Sequence, residues 1–471
     1  MWAKVYGRKQ AIKEDFIMAS HPRLSRRQFL RSAALGGAAL ASGMLAACGA
    51  SSTAPTTANT PAAAPTQVSS EPTKIRALMW SNGPVIDENF RVRAQMFNET
   101  FKGQYDLDLQ LLPYDQYWPR IDLAYGSKNP YDVYFFDVQA YGHYRAGLLA
   151  NIQPYVDLAP ELMNADEYPV KLFDAWRFDG SNLYGLPENI QVLALYYNRD
   201  LFDAEGLAYP DETWTWDDVL DAATKLTKRS GDETTQWGMD VGVMDIWWGA
   251  QTLAWAMGGG FFDKIVEPTK FQVSDAVNVQ ALTFLRDLIF EHKVAPTKTQ
   301  RSATAQDIGI FQTGKVAMFF DGSWAMSGFQ DVPFKWDMAP LPMWKDRRVS
   351  AYWLGGQVIP KDSKVIDASF AFSRWSTTTY QKTMASNHDW IPIARSARES
   401  EEMYVGQPAG LRNVLTTIEG ARLGDFYSRN NQQIFGEVLL PTFDQLFLGN
   451  LTPEEAARKI DEEANALLAK G

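Results

Sequence analysis

Apolar and polar positions change period along the chain, and each change marks an element. Lys74 to Trp80 reads as a short β-like run. Phe90, Ala94, Phe97 and Phe101 follow at helical spacing, and then Leu107, Leu109 and Leu111 alternate with Asp108 and Gln110 as in a half-buried strand. Val133 to Phe136 is a third apolar run. This strand–helix–strand order predicts α/β units on a partly parallel sheet. Later helices carry start signals. Thr215 with Asp218 forms a capping box ahead of an apolar face made by Trp216, Val219, Leu220, Ala223 and Leu226. Ser274 is the expected N-cap of a helix that buries Val277, Ala281, Phe284, Leu285 and Leu288. Thr452-Pro453-Glu454-Glu455 opens a final helix through Ala456, Ile460, Ala464, Leu467 and Leu468. No internal repeat of 20–50 residues is present.

The first 72 residues follow none of these periods. Arg26-Arg27 sit in Ser-Arg-Arg-Gln-Phe-Leu, a mildly apolar stretch runs from Ala33 to Ala47, and Leu45-Ala46-Ala47-Cys48 closes it. The stretch is shorter than the ~20 residues of a spanning helix. It resembles a twin-arginine signal peptide (1–47) followed by a lipoprotein cleavage box. Cys48 is then the lipidation residue, its thiol the nucleophile that takes the lipid. The blander alternative is a chance basic and apolar stretch with a buried cysteine. Met18 is a second candidate for the first residue. Residues 49–72 are almost entirely Ser, Thr, Ala, Pro, Asn and Gly, too few apolar groups to offset ordering entropy, so 48–73 is expected to be a lipidated tether.

Composition narrows the function. The 471 residues carry 45 Lys and Arg against 56 Asp and Glu, a net charge of −11. Eight of the basic residues and only two of the acids lie in the leader, so the body is more acidic still and lacks the basic surplus of a nucleic-acid binder. One cysteine excludes a disulfide scaffold and any CxxC metal or redox site. The four histidines (His21, His143, His292, His388) share no metal-ligand spacing, and there is no HExxH, GxSxG, GxGxxG or GxxxxGK[ST] motif. No cofactor, metal or catalytic residue is expected. Two distant carboxylates could still form a glycosidase pair.

Fifteen of the 16 tryptophans follow Cys48, and several flank Gly or polar residues: Trp80-Ser81-Asn82-Gly83, Trp247-Trp248-Gly249, Trp353-Leu354-Gly355-Gly356. For any single Trp, core packing is the plainer reading. Clusters beside Gly and Asn also suit a sugar, whose C–H face stacks on an indole while Asp, Glu, Asn and Gln pair with its hydroxyls.

Six blocks in order resemble the extracellular solute-binding proteins of ABC importers, in their sugar-binding branch. These are Pro130-Tyr131-Asp132-Val133 through Gly147-Leu148-Leu149-Ala150; Tyr184-Gly185-Leu186-Pro187 with Tyr196-Tyr197-Asn198-Arg199-Asp200-Leu201-Phe202; Thr213-Trp214-Thr215-Trp216-Asp217-Asp218-Val219; Phe311-Gln312-Thr313-Gly314-Lys315-Val316-Ala317-Met318 with Gly322-Ser323-Trp324; Ala339-Pro340-Leu341-Pro342; and Gly355-Gly356 with Ile359-Pro360.

The resemblance implies an α/β, two-lobed periplasmic-binding-protein-like fold of type II, with three hinge crossovers near Gln191, Met338–Pro342 and Trp390–Pro392 and a ligand cleft between the lobes. Lobe 1 would be 74–190 plus 340–391, and lobe 2 would be 191–339 plus 392–471. It further implies an exported, lipid-anchored, monomeric protein that binds a neutral mono- or oligosaccharide without turnover and delivers it to the permease subunits. The ligand positions it carries over are Trp80, Asn82, Asp137, Gln139, Glu188, Asn189, Gln191, Trp247, Trp248, Trp324, Trp353, Gly355, Gly356 and Trp390. Small Gly322 and Ser323 would let ligand approach Trp324. A secreted glycoside hydrolase and a surface adhesin are the alternatives.

Overall fold

A computed structural model describes residues 71–470 except 82, 138–139, 306–308 and 389. The twin-arginine motif, Cys48 and almost all of the tether lie outside the described residues. The body opens with β1 (Thr73–Trp80), α1 (Pro84–Thr100), β2 (Tyr105–Leu112), α2 (Tyr114–Gly126) and β3 (Val133–Phe136). β1 pairs in parallel with both β2 and β3, the α/β arrangement expected from the periods.

The strand that organises the rest is β4 (Leu186–Asn198), buried along all 13 residues. Its side chains alternate between faces. Ile190, Val192, Ala194 and Tyr196 enter one core, while Leu193, Leu195 and Tyr197 enter a second. Each fully buried Leu there contributes about 1.5–3 kcal/mol relative to exposure. The chain continues through α3 (Trp216–Leu226), a small hairpin of β5 (Lys228–Ser230) and β6 (Glu233–Gln236), α4 (Trp247–Met257) and α5 (Ala276–Phe290). Next come β7 (Met318–Gly322), β8 (Trp336–Ala339), β9 (Ala351–Val358), α6 (Ile366–Thr377), α7 (Gln381–Asn387), β10 (Ile391–Pro392), β11 (Arg422–Leu423) and α8 (Pro453–Leu468).

β4 changes partners along its length. Residues 186–192 pair with β9, which also pairs with β3, whereas residues 193–198 pair with β7 and β8. β10 returns to Asn189 and Ile190. β11 joins β9 at Ala351 and Tyr352, so a strand from the last stretch of chain is stitched to a strand of the 340–391 segment. Among the described residues, no helix is long and apolar enough to cross a membrane.

Two caps form as expected. The Thr215 side chain accepts from the Asp218 amide while Asp218 accepts from the Thr215 amide, and Thr452 and Glu455 do the same for α8. Ser274 does not cap α5. Its hydroxyl and amide donate to Asp461 on α8, and Asp275 takes the N-cap position without a side-chain bond. A tertiary carboxylate outcompetes the local cap.

Candidate functional site: two aromatic walls and a polar seam

The parallel strands β1 and β3 end side by side, where α/β sheets characteristically open a ligand crevice. β1 ends on Trp80, whose ring is 4.7 Å from Phe135, 5.4 Å from Tyr117, 5.7 Å from Tyr114 and 6.2 Å from Trp118. Phe135 stacks at 5.0 Å on Trp390, which also meets Phe90 at 5.0 Å. Trp80, Tyr114, Trp118 and Trp390 are only partly buried, so this wall keeps aromatic surface open. Asp137 follows β3 directly and is partly exposed.

A second wall comes from three tryptophans distant in sequence. Trp248 in the first turn of α4, Trp324 after β7 and Trp353 on β9 meet edge to face at 4.9, 5.5 and 6.0 Å. Two glycines make room for them. A Cβ on Gly322 would lie 2.2 Å from the Trp324 ring, and one on Gly424 would lie 2.3 Å from the Trp353 ring. Gly322 is therefore covered by Trp324 itself, not left open to a ligand. Ser323 is also engaged, its hydroxyl donating to Gln191 Oε1 at 2.5 Å and accepting from the Val192 amide at 3.2 Å.

Between the walls runs a polar seam on β4. Gln191 and Asn189 lie on the same face by the two-residue period, opposite Trp353 and Gly355 of β9. Gln191 Nε2 donates to Asn189 Oδ1 at 3.4 Å, and Asn189 Nδ2 is buried with no partner. Gly355 is needed here, because a Cβ would come within 2.2 Å of Phe135 and 2.7 Å of Asn189 Nδ2.

Two expected residues of the same strand pair are engaged in packing. Glu188 lies where the register of β4 against β9 slips, between Pro187 and Asn189, and is fully buried in an ion pair with Arg93, with Gln357 donating to its second oxygen. Gly356 likewise packs under Trp176 and the Leu186 carbonyl. Trp247 is core: 1% exposed, 5.5 Å from Phe426 and 6.3 Å from Phe262. Asn82 and Gln139 lie outside the described residues. The structure thus gathers Trp80, Asp137 and Trp390 about the first wall, Trp248, Trp324 and Trp353 into the second, and Asn189, Gln191 and Gly355 between them.

Burial also sets the electrostatics. Asp321, at the end of β7, is pushed up to about 7 by desolvation, against the Gly322 amide at 2.7 Å and a bond from Trp324. Asp425 is pushed up to about 7 by desolvation and then by the Asp137 charge. Desolvation, then Asp137, then Asp425 raise the Tyr114 phenol, which places Tyr114 near both carboxylates. Among the described residues, no group of His, Cys, Asp or Glu is placed to hold a metal ion. A cavity of about 300 Å³ lies elsewhere, lined by Lys171, Phe178, Val266, Tyr352, Arg422 and Tyr427, and includes none of the expected residues.

Sequence reasoning missed Tyr114, Trp118, Phe135 and Asp425. The run Tyr114-Asp115-Gln116-Tyr117-Trp118 right after a strand was a usable signal, since aromatic residues at i, i+3 and i+4 share a helix face. Asp425 carried none.

The family model described as bacterial extracellular solute-binding protein matches residues 82–382. The arabinooligosaccharide-binding protein of Bacillus subtilis is 27% identical over 340 residues, 67% of this chain and 74% of that protein. The mannitol-binding protein of Pseudomonas aeruginosa is 24% identical over 304 residues, 60% of this chain and 66% of that protein. Among solved structures, an ABC substrate-binding protein of Listeria monocytogenes in complex with cycloalternan superposes with a TM-score of 0.74 at 23% identity, over 85% of this chain and 100% of that one; this likeness is one of fold.

Proposed function

The chain belongs to the bacterial extracellular solute-binding protein family and has its two-lobed α/β fold, and from that premise we propose that it captures a neutral carbohydrate between its lobes and delivers it to the permease of an ABC importer. The family places the protein outside the cytoplasm. The single observation that carries the ligand class is the pair of aromatic walls flanking a buried amide seam: Trp80 and Trp390 on one side, Trp248, Trp324 and Trp353 on the other, Asn189 and Gln191 between. Indole faces suit the C–H faces of sugar rings, and amides suit their hydroxyls. Relatives named for arabinooligosaccharide and mannitol binding support the same class. Sugar leaves as it came, because the family's members bind substrate for transport.

In this reading lobe 1 is 74–190 plus 340–391 and lobe 2 is 191–339 plus 392–471. The hinge is the point on β4 near Gln191 where pairing passes from β9 to β7 and β8. Closure about it reports occupancy to the permease. A twin-arginine signal exports the chain as a monomer, and lipid on Cys48 holds it to the membrane.

The test is thermal melting of the purified protein against a panel of sugars, with sugar recovery assayed by chromatography. An upshift with intact sugar is expected. Cleaved sugar would replace this reading with a glycoside hydrolase. No shift with any sugar, together with capture of a protein partner, would replace it with an adhesin.

A further inference from the structure

β9 turns two neighbouring aromatic side chains to opposite sides. Trp353 joins the second aromatic wall, whereas Tyr352 lines the cavity of about 300 Å³ on the other side of the strand. That volume is at the lower end of small-ligand pockets. The cavity has an apolar side and a cationic side. Phe178, Tyr352 and Tyr427 supply the first, with Phe178 and Tyr427 edge to face at 5.7 Å, and Val266, 46% exposed, forms the lip. The lip is pinned by its backbone: the Tyr427 amide donates to the Ile265 carbonyl and the Glu267 amide to the Tyr427 carbonyl, both at 2.7 Å. Lys171 and Arg422 supply the cations. Lys171 Nζ lies 5.5 Å from the Tyr352 ring centroid and donates to the Ile418 and Glu419 carbonyls at 2.6 and 2.7 Å, which leaves one of its three donors. Desolvation lowers the Lys171 pKa against the opposing charge of Glu419, a carboxylate that lies 3.9 Å from Arg395. Arg422 is exposed, its guanidinium carbon 5.5 Å from the Trp255 ring centroid. Neither cation is in an ion pair among the described residues, whereas Asp174 and Arg177, the other two charges of the lining, pair with each other at 3.3 Å. The chain carries a net charge of −11, so two unpaired cations at one apolar cavity are not the by-product of a basic surface.

We propose that this cavity is a second ligand site, apart from the aromatic walls and the seam, for a small organic anion with a flat apolar ring, an aryl carboxylate by chemical class. The carboxylate takes the remaining Lys171 donor and the Arg422 fork, in charge-assisted hydrogen bonds. The ring lies among Phe178, Tyr352 and Tyr427, where offset and edge-to-face contacts are favourable. A half-buried lysine without a counter-charge gains more from such an anion than a solvated one, because the lower dielectric strengthens the pair. A neutral sugar would leave both cations uncompensated, and inorganic phosphate would leave the rings uncovered. The inference is independent of the carbohydrate reading above.

The experiment is calorimetric titration of the full chain with phenylacetate, its neutral amide phenylacetamide and inorganic phosphate, repeated on Arg422→Gln, Lys171→Met and Trp324→Ala, with ligand-free melting of each. Phenylacetate should saturate one site per chain and bind about 10-fold or more tightly than phenylacetamide, the scale of a charge-assisted contact. Arg422→Gln should weaken it about 5- to 30-fold with melting unchanged, since the side chain is exposed. Lys171→Met should weaken it to a similar degree and decides the matter where Arg422→Gln does not fold. Trp324→Ala should leave phenylacetate affinity within about twofold of wild type, because that ring belongs to the other side of β9. Absence of saturable phenylacetate binding below about 10 mM would overturn the site. Equal affinity for the amide would remove the role of the cations, and equal affinity for phosphate would remove the role of the rings; either result overturns the proposal. Phenylacetate binding lost in Trp324→Ala and kept in Arg422→Gln would move it to the aromatic walls and overturn the proposal as well.

Discussion

The Tyr141 hydroxyl donates to Glu267 Oε1 at 2.7 Å, joining the helix Ala140–Arg145 after β3 to the loop that follows α4. The contact is reinforced on both sides. Tyr141 stacks on Tyr427 at 5.5 Å, Arg145 Nε lies 3.8 Å from Glu267, and the Glu267 amide donates to the Tyr427 carbonyl at 2.7 Å. Glu267 holds a left-handed φ of 49°, a conformation that costs a non-glycine residue about 1 kcal/mol. In the proposed partition these residues belong to opposite lobes, so the bond favours the closed form without touching ligand.

Tyr141→Phe should therefore weaken sugar affinity roughly 3- to 10-fold, the scale of one partly exposed hydrogen bond to a charged group. Dissociation should quicken, and ligand-free melting should barely move. Stopped-flow dissociation rates check this. An unchanged rate would mean the bond is not strained or broken during opening.

Trp324→Ala separates stacking from packing. Trp324 is partly exposed and touches Trp248 and Trp353 edge to face, contacts worth about 0.5–1.5 kcal/mol each. If it also stacks on a sugar ring, affinity should fall about 5- to 150-fold, while the ligand-free protein loses on the order of 1–3 kcal/mol. Unchanged affinity in calorimetry with a loss of ~3–5 kcal/mol in stability would make Trp324 a core residue.

Local pattern made the frame of this protein readable, and tertiary context hid the rest. β1, β3 and the capping boxes at Thr215 and Thr452 rest on periods and short-range hydrogen bonds, which a sequence displays directly. Ser274 failed as a cap because its partner, Asp461, lies 187 residues away. Glu188 and Asn189 are adjacent letters, yet at a slip in the register of β4 against β9 one pairs with Arg93 and the other joins the seam. Trp247 and Trp248 are likewise indistinguishable in sequence, and only the facing segment 422–426 makes one core and the other wall. How each carried-over position is turned depends on a slip in strand register and on helix phase, neither of which adjacent letters display.

The ligand-free protein should be more stable at mildly acidic pH than at alkaline pH. The Asp321 carboxyl is raised to about 7 in the fold by burial, against about 3.9 when unfolded. Between those values the folded state binds the extra proton, so stability falls as pH rises from about 4 to 7 and then levels off. Three pK units bound this term at roughly 4 kcal/mol. Asp425 acts in the same direction. Asp321→Asn keeps an acceptor for the Gly322 amide and removes the charge. It should flatten much of the slope of urea-unfolding free energy between pH 5 and 8. A slope identical to wild type would show that Asp321 stays ionised in the fold.

Glu188 provides the sharpest contrast between a structural and a ligand role. Its carboxylate is paired with Arg93, both are at most 1% exposed, and the arginine also lies over the Phe90, Tyr380 and Phe372 rings at 5.0, 5.6 and 5.9 Å. The Glu188 carbonyl accepts from Gln381 at 3.0 Å, which ties α7 to the same point of β4. Removing one partner of a buried pair strands the other charge without solvent, at a cost of about 3–5 kcal/mol. Glu188→Gln should lower the unfolding free energy by that amount, read as a lower urea midpoint with an unchanged slope, since the folded and unfolded surfaces stay the same. Adding Arg93→Met should recover most of the loss, because the stranded charge is then gone and the aliphatic side chain still packs under the rings. Sugar affinity of the folded single variant should stay within a few fold of wild type, as the Glu188 carboxylate is taken up by Arg93 and Gln357 and makes no bond to Asn189 or Gln191. A normal urea midpoint with affinity lost a hundredfold would reverse the assignment and return Glu188 to the ligand site.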